Sequence, residues 1–170
     1  MSKLKVLFYP DERLFQKCEP VTVFDDELAK TTKDMLETMY ANEGCGLAAS
    51  QVGILKRFCV IDTSETHTEP LILVNPEIVS HEGQVNCSEG CLSIPDYREM
   101  VKRYQNIKVV AQDVKGEKIE LDATDLLSRC IQHEMDHMDG IMFVDRGSPL
   151  KRQIFKRWMK KHIFVEKEES

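Results

Sequence analysis

The most constraining feature of this chain is a pair of histidines, His133 and His137, with Glu134 directly after the first of them. If this segment is helical, residues four apart lie on one face, so both imidazoles can bind one metal ion. Glu134 can then reach a water on that ion and remove its proton. The alternative is a helix that carries two solvated histidines and an exposed glutamate, and the flanking sequence has to distinguish the two.

The flanking residues favour a helix with a buried face. Asp122 or Thr124 can cap its start, and Gly140 supplies a stop. One stripe along this helix contains Leu126, Cys130, His133 and His137. The stripe places both histidines beside an apolar wall, so the sequence predicts a metal site next to an apolar pocket. Of the other polar residues here, we expect Gln132 to support the site and Asp136 to be solvated.

Length and composition predict a globular protein. A chain of 170 residues is long enough for one domain with a substantial core and short for two, so we predict a single domain over 1–170. Hydrophobic residues make up 42% and charged residues 31%, which argues against disorder and against a membrane protein. The N-terminus lacks a secretory apolar region, and a cytoplasmic location is therefore expected. In that compartment the six cysteines are free thiols, buried residues or metal ligands rather than disulfides.

The charge is unevenly distributed along the chain. The net charge of −6 argues against general nucleic-acid binding, including DNA. A basic amphipathic helix is predicted over 148–165, starting at Ser148-Pro149. Its cationic residues are Lys151, Arg152, Lys156, Arg157, Lys160 and Lys161. Its buried stripe is predicted to be Leu150, Ile154, Phe155, Trp158 and Met159. The cationic face is either solvated or binds an anionic partner such as RNA.

The remaining patterns predict an α+β fold. A helix is expected over about 25–42, and strands over Phe58–Ile61 and 71–74, the second stopped by Asn75-Pro76. A hairpin is expected from 107–111 and 118–121, joined by Lys115-Gly116. We predict mixed or antiparallel sheets wrapped around a central helix that carries the two histidines, followed by the C-terminal helix.

A catalytic site of this type needs three protein ligands and one open position. Cys91 follows Gly90 in a segment expected to be extended, so its thiolate can approach the histidine helix. Cys91 can equally be a small buried hydrophobic residue. From the residues alone, the third ligand stays open.

Three segments together resemble, in order and spacing, the three motifs of the peptide deformylases. They are Gly-Cys-Gly-Leu-Ala-Ala-Ser-Gln at 44–51, Glu-Gly-Cys-Leu-Ser at 89–93, and Gln-His-Glu-Met-Asp-His at 132–137. The likeness continues at 10–14, at Asn75-Pro76 and at 140–145. It therefore covers nearly the whole chain, in the form typical of bacterial enzymes with a helical C-terminus.

This resemblance implies a metal-dependent hydrolase that removes the formyl group from the N-terminal formylmethionine of nascent polypeptides and releases formate. It implies that the ligands of one divalent ion are Cys91, His133 and His137. The family's usual metal in the cell is ferrous iron, and zinc, nickel or cobalt can occupy the site. The family's fold is built around the helix that carries the two histidines.

The resemblance also implies the catalytic roles. Glu134 would take a proton from the water on the metal and later pass it to the leaving amine, while the resulting hydroxide attacks the formyl carbon. The family's motifs assign stabilisation of the developing oxyanion to the side-chain amide of Gln51 and the backbone N–H of Leu92. One such donor is typically worth about 3 kcal/mol in the transition state. Without the motifs, Gln51 would be interpreted as satisfying the loop backbone.

Substrate contacts are expected from the loops around this centre. Gly44 and Gly46 either end the preceding helix or let backbone groups bind an extended peptide as an added strand, and both roles can hold. The methionine slot is predicted to be lined by Leu126, Cys130, Cys45 and Cys87. The predicted substrate-binding set is completed by Glu89, Gly90 and Arg98. Arg98 contacts either the substrate backbone or a surface carboxylate.

Three positions depart from the family pattern around the slot. Cys45 and Cys87 stand where larger aliphatic residues are frequent, and Arg129 stands where many relatives have an apolar residue. These differences bear on the affinity for the first side chain and not on the reaction.

The expected partners are N-formylmethionyl nascent peptides and, transiently, the ribosome. In some bacterial relatives the terminal helix docks on the ribosome near the peptide exit, and the basic helix at 148–165 is suited to this contact. Three other interpretations compete. They are a zinc metallopeptidase with its third ligand downstream, a non-catalytic ribosome- or RNA-binding module with a structural metal, and a hydrolase in which Cys91 is a nucleophile activated by His133.

Overall fold

A five-stranded antiparallel sheet, in which each strand pairs with the next along the chain, forms the frame of the protein. The structure is a computed structural model that describes the backbone of residues 3–169 and the side chains of residues 3–162. The strands are β1 (Gly46–Ala48), β2 (Phe58–Ile61), β3 (Leu71–Cys91), β4 (Ile94–Gln112) and β5 (Lys118–Thr124). The helices are α1 (Asp26–Ala41), α2 (Asp125–Met138) and α3 (Pro149–Glu169). The predicted α+β class is thus confirmed.

Strand β3 is longer than predicted, because Asn75-Pro76 does not stop it. Asn75 adopts a left-handed backbone conformation with a φ of 52°, and the pairing with β4 shifts register between Val74 and Glu77. The side chain of Asn75 bonds the backbone of Val21 and the amide of Gln112. A β-bulge therefore accommodates the proline, and the strand continues to Cys91.

The long β3–β4 hairpin brings Cys91, one of the predicted ligands, close to α2. Its turn, at Leu92 and Ser93, follows directly after Cys91 at the end of β3. The predicted hairpin around Lys115-Gly116 is also present, and it joins the last residues of β4 to β5. Gly116 has a φ of +85°, as its turn requires.

Helix α2 packs against β1, β2, β4 and β5, and its buried apolar residues include Ile131 and Met138. Thr124 occupies the predicted N-cap position, but its side chain makes no capping hydrogen bond. The helix ends before Gly140, which has a φ of +74° and lies where a Cβ would be 2.5 Å from the carbonyl oxygen of Phe15. The predicted helix stop therefore requires glycine for two reasons: the left-handed backbone conformation at this position and the lack of room for a side chain.

Leu126 departs from the predicted buried stripe of α2. It lies in the first turn with 47% of its surface exposed, whereas Cys130, His133 and His137 are buried. The apolar wall beside the histidines is thus shorter than the sequence pattern suggested, because it does not include Leu126.

Helix α3 buries only part of its predicted stripe. Phe155 is buried, and Trp158 and Met159 are packed around the same apolar cluster, which also includes Leu14 and Ile94. Leu150 and Ile154 are 65% and 50% exposed, so their predicted burial is wrong. The contact face is formed by positions 155, 158 and 159, spaced i, i+3 and i+4. At about 100° per residue, Ile154 and Leu150 lie outside this face.

Within the described part of the chain, no helix has the length and apolar character needed to cross a membrane.

Arg103 is a buried charged residue that connects β4 to both β3 and α2. Its side chain is only 2% exposed. It donates to both carboxylate oxygens of Glu89 on β3, at 2.8 and 2.9 Å, and to Asp136 on α2, at 2.6 Å. Asp136 also accepts two hydrogen bonds from Arg146. The expectation that Asp136 is solvated is therefore wrong.

Replacing Arg103 is expected to destabilise the fold strongly. Arg103→Met leaves the buried carboxylates of Glu89 and Asp136 short of their partner, which should lower the free energy of unfolding by about 3–5 kcal/mol. Arg146→Met is the matched control, because Asp136 keeps Arg103 and Arg146 is at the surface; its expected loss is at most about 1 kcal/mol. Urea unfolding of both variants measures this difference, and equal losses would contradict the assignment of Arg103 as the central cation.

Candidate metal centre and active site

Three side chains predicted as metal ligands converge at the end of the β3–β4 hairpin. Cys91 comes from the end of β3, and His133 and His137 come from successive turns of α2. The Sγ of Cys91 lies 3.4 Å from Nε2 of His137, and the two Nε2 atoms lie 3.3 Å apart. All three donor atoms are within 4.8 Å of one another, which makes them a candidate metal site.

The spacing of these atoms fits a shared cation. A tetrahedral ion with ordinary bonds to nitrogen and sulfur separates its ligand atoms by about 3.3–3.6 Å. Burial lowers the pKa of His137, so its ring is neutral. Burial acts in the same direction on His133, but Glu134, Cys91 and Glu89 outweigh it and raise the pKa of that ring. The two Nε2 atoms face each other at 3.3 Å, and they repel unless a proton or a metal cation lies between them. A thiolate with two imidazoles is a donor set suited to zinc or ferrous iron.

Glu89 orients one of these rings. Its Oε1 lies 3.0 Å from Nδ1 of His133. Burial acts to raise the pKa of Glu89, but hydrogen bonds from Arg103 and His133 outweigh it and lower the pKa to about 2. An ionised carboxylate only accepts, so the proton of His133 is on Nδ1 and its Nε2 is directed to the other ligands. Both oxygens of Glu89 thus already accept hydrogen bonds within the protein. Substrate contact by Glu89 stays a prediction.

Glu134 is buried beside the three ligands. Burial raises its pKa to about 7, so at neutral pH it can both accept and release a proton. Its Oε1 has no hydrogen-bond partner among the described residues. A Cβ added at Gly46 would lie 2.5 Å from its Oε2, so the backbone of β1 forms the wall in front of this carboxylate. The arrangement leaves one carboxylate oxygen available for a water or a substrate.

Gln51 links the loop after β1 to the ligand hairpin. Its Oε1 accepts from the backbone N–H of Ala48 at 2.9 Å. Its amide donates to Oγ of Ser93 at 3.1 Å and to Sγ of Cys91 at 3.4 Å. The side chain therefore satisfies loop backbone, and its amide also bonds the hairpin that carries Cys91. The oxyanion role of Gln51 stays a prediction.

Leu92 and Gly44 pack against each other at the other side of the hairpin turn. A Cβ at Gly44 would lie 2.8 Å from Cδ1 of Leu92, and the N–H of Gly44 donates to the carbonyl of Met39 at the end of α1. Gly44 therefore ends α1, and its lack of a side chain leaves room for the side chain of Leu92. The oxyanion role of the Leu92 backbone N–H stays a prediction.

Two predicted slot residues, Cys45 and Cys130, lie together, with their sulfurs 3.6 Å apart. Cys130 is buried and Cys45 is exposed. The hydrogen bond from Cys130 lowers the pKa of Cys45 to about 6. Cys87 is half-buried on β3, and Leu126 lies at the exposed start of α2.

Arg98 stabilises the end of the hairpin that carries Cys91. It donates to Oγ and the carbonyl of Ser88, at 3.0 and 3.1 Å. A Cβ at Gly90 would lie 2.9 Å from its guanidinium, so Gly90 gives it room to fold over the strand. Substrate contact by Arg98 and Gly90 stays a prediction.

Sequence reasoning missed the polar contacts that hold α2 in place. Gln132 bonds the backbone N–H and carbonyl of Tyr104 on β4, which fixes the helix and not the metal ligands. Arg103 is the residue that the pattern could have revealed. It occupies an inward position of a strand whose other buried residues, Val101, Ile107 and Val109, alternate in the same phase.

A cavity of about 310 Å³ lies next to the ion pairs of Arg103 and Asp136, between α2 and the β3–β4 hairpin. Its lining includes Lys102, Arg103, Gln132, Asp136 and Arg146, but none of the three metal ligands. The three predicted ligands therefore do not open onto this cavity.

Known proteins resemble this chain over almost its full length. The family model described as Polypeptide deformylase matches residues 3–153. A peptide deformylase from Legionella pneumophila has 42% identity and a TM-score of 0.92, over 97% of this chain and 98% of that one. The enzyme from Thermus thermophilus has 35% identity and a TM-score of 0.89, over 98% of each chain.

A third structure, the peptide deformylase of Synechococcus elongatus in complex with actinonin, has 45% identity and a TM-score of 0.83. It covers 87% of this chain and 83% of that one. With the family model matching well over half of its length, this chain belongs to the polypeptide deformylase family, the metal-dependent enzymes that remove the formyl group from the N-terminal methionine of polypeptides.

Proposed function

We propose that the chain carries out this deformylation at the centre formed by Cys91, His133, His137 and Glu134. The observation that supports it most is the convergence of three ligand atoms beside a buried carboxylate with one unpartnered oxygen. A structural metal site would be closed and would need no base next to it.

The metal held by Cys91, His133 and His137 is proposed to be ferrous iron in the cell. Zinc, nickel or cobalt would fit the same ligands in a purified sample, because availability decides occupancy more than affinity does. When bound, the cation supplies a Lewis acid that polarises an oxygen and lowers the pKa of a water.

Glu134 is proposed as the group that moves the proton. It removes a proton from the attacking water and then delivers it to the amine that leaves. Its pKa of about 7 supports both steps, because such a group is partly ionised at neutral pH. Its Oε1 is the atom available for this transfer.

Gln51 and Leu92 are proposed to stabilise the formyl oxygen as it gains negative charge. The amide of Gln51 is already positioned by its bonds to Ala48 and Ser93, so it needs little reorganisation during the reaction. The backbone N–H of Leu92 is the second donor. Each such donor is worth about 3 kcal/mol in the transition state.

The substrate peptide is proposed to bind along β1. This strand lies at one edge of the sheet, with β2 on its other side. An extended peptide beside Gly44 and Gly46 would add one more strand and bring its formyl end to Glu134. Leu126, Cys130, Cys45 and Cys87 are proposed to receive the methionine side chain, with Gly90 and Arg98 contacting the peptide backbone.

Removing the thiolate ligand is expected to abolish tight metal binding. Cys91→Ala should bind its divalent ion on the order of 100-fold more weakly, because two imidazoles alone hold such an ion poorly. Cys87→Ala is the control, since Cys87 is half-buried on the same strand. Metal analysis with chelator competition measures the difference. A Cys91→Ala protein that keeps its metal and its activity would point to a third ligand elsewhere, as in a metallopeptidase.

Removing the proposed base is expected to stop formate release without loss of the metal. Glu134→Gln should lower kcat on a formyl-methionyl peptide by about 10²- to 10⁴-fold. Asp139→Asn, at the exposed end of the same helix, is the control and should change kcat by less than about twofold. Anaerobic formate assays with parallel metal analysis measure both quantities. Activity retained by Glu134→Gln would refute the assigned role.

Helix α3 is proposed to make a transient ribosome contact in the cytoplasm, where formylated chains are synthesised. Arg152, Lys156 and Lys160 are exposed and follow each other at intervals of four residues. They form one cationic stripe that suits a phosphate-rich partner. Phe155 anchors α3 in the apolar cluster of Leu14, which supports the proposal that 1–170 acts as one domain.

Reversing this stripe is expected to weaken ribosome binding and to leave catalysis intact. The variant Arg152→Glu, Lys156→Glu, Lys160→Glu should cosediment with ribosomes on the order of tenfold less, with the same activity on a short peptide. The control variant changes the exposed Lys33, Lys115 and Lys118 to Glu, which is the same charge change elsewhere. Equal cosedimentation of the two variants would exclude α3 as the contact.

A further inference from the structure

Two thiols lie in contact beside the catalytic carboxylate. Cys45, directly before β1, is exposed, whereas Cys130 on α2 is buried. Their sulfurs are 3.6 Å apart, and Cys130 also lies 3.5 Å from the carbonyl oxygen of Cys45. The two residues are 85 positions apart in the sequence, so the fold alone brings them together.

This pair differs from the other cysteines of the protein. Among the described residues, it is the one pair of thiols that shares a hydrogen bond. Cys18 and Cys59 are buried in the apolar core, and Cys91 is engaged with His137 and Gln51. A disulfide has a sulfur–sulfur distance of about 2.0 Å, so rotation of the two side chains has to bring the sulfurs together.

We infer that Cys45 and Cys130 form a modification site that a low-molecular-weight disulfide, such as oxidised glutathione, converts into an intramolecular disulfide. The exposed Cys45 attacks one sulfur of the glutathione disulfide, and one glutathione leaves as a thiolate that takes up a proton. The buried Cys130 then attacks the sulfur of Cys45 and expels the second glutathione. The two cysteines lose two electrons and two protons, and one glutathione disulfide becomes two glutathione thiols.

The bridge would change the space in front of Glu134. A Cβ at Gly46 would lie 2.8 Å from Sγ of Cys130 and 2.5 Å from Oε2 of Glu134, so all three groups border the same small volume. Forming the bond draws the sulfur of Cys130 towards Cys45 and ties α2 to the residue before β1. The KM for a formyl-methionyl peptide should then rise on the order of tenfold, and a reductant should restore it. This consequence rests on the proposed function, whereas the bridge itself does not.

The test treats the zinc-loaded enzyme with oxidised glutathione, so that oxidation of iron does not interfere. Intact-mass and peptide analysis should show a mass lower by two hydrogens, a linked Cys45–Cys130 peptide, and four free thiols where the untreated chain has six. Dithiothreitol should return the original mass and KM. These mass readouts do not depend on formate release, so a failure of the inference is distinguishable from a failure of the proposed function.

Three variants test the order of the steps. Cys130→Ser should stop at one glutathione attached to Cys45, and Cys45→Ser should form no bridge. Cys87→Ser, which alters a half-buried thiol outside the pair, should form the bridge as the unmodified sequence does. If Cys130→Ser does not fold, time-resolved mapping of the mixed disulfide in the unmodified sequence gives the same order.

Several outcomes would overturn the inference. They are an unchanged thiol count, a stable glutathione adduct without a bridge, and a bridge that includes Cys91 in place of Cys45 or Cys130. A Cys45–Cys130 bridge with an unchanged KM would overturn the assignment of these sulfurs to the substrate slot.

Discussion

The buried guanidinium of Arg103 holds together the parts of the protein that form the site. It joins β4 to Glu89 on β3 and to Asp136 on α2, and Glu89 in turn fixes the ring of His133. Removing these charges from water is costly, and only their full pairing offsets that cost. The position of His133, a predicted metal ligand, therefore depends on a network whose members lie on three different elements.

The sequence predicted the part of the site that depends on local spacing. Two histidines four residues apart on a helix must share a face, so the positions of His133, His137 and the adjacent Glu134 follow from the order of residues alone. Cys91 required the family resemblance, because it comes from a distant strand. The burial of Asp136 could not be predicted, since it depends on Arg103 and Arg146, which reach it through tertiary packing.

The fold shows the same division between local and long-range effects. Asn75-Pro76 is a strand-breaking pair by local rules, but bonds from Asn75 to Val21 and Gln112 hold a bulge there and β3 continues. The periodicity of α3 placed its apolar residues on one side. Which of these residues are buried depends on the surface against which the helix packs. Phe155 packs against that surface and is buried, whereas Leu150 is exposed to solvent.

The close approach of Gly46 to Glu134 limits which residues can replace this glycine. Because a Cβ at position 46 would lie 2.5 Å from the carboxylate of Glu134, any replacement has to displace the group proposed to move the proton. A compound that hydrogen-bonds to the main chain at this position would contact atoms that a change of side chain does not remove. Resistance through replacement of Gly46 itself is expected to disturb Glu134.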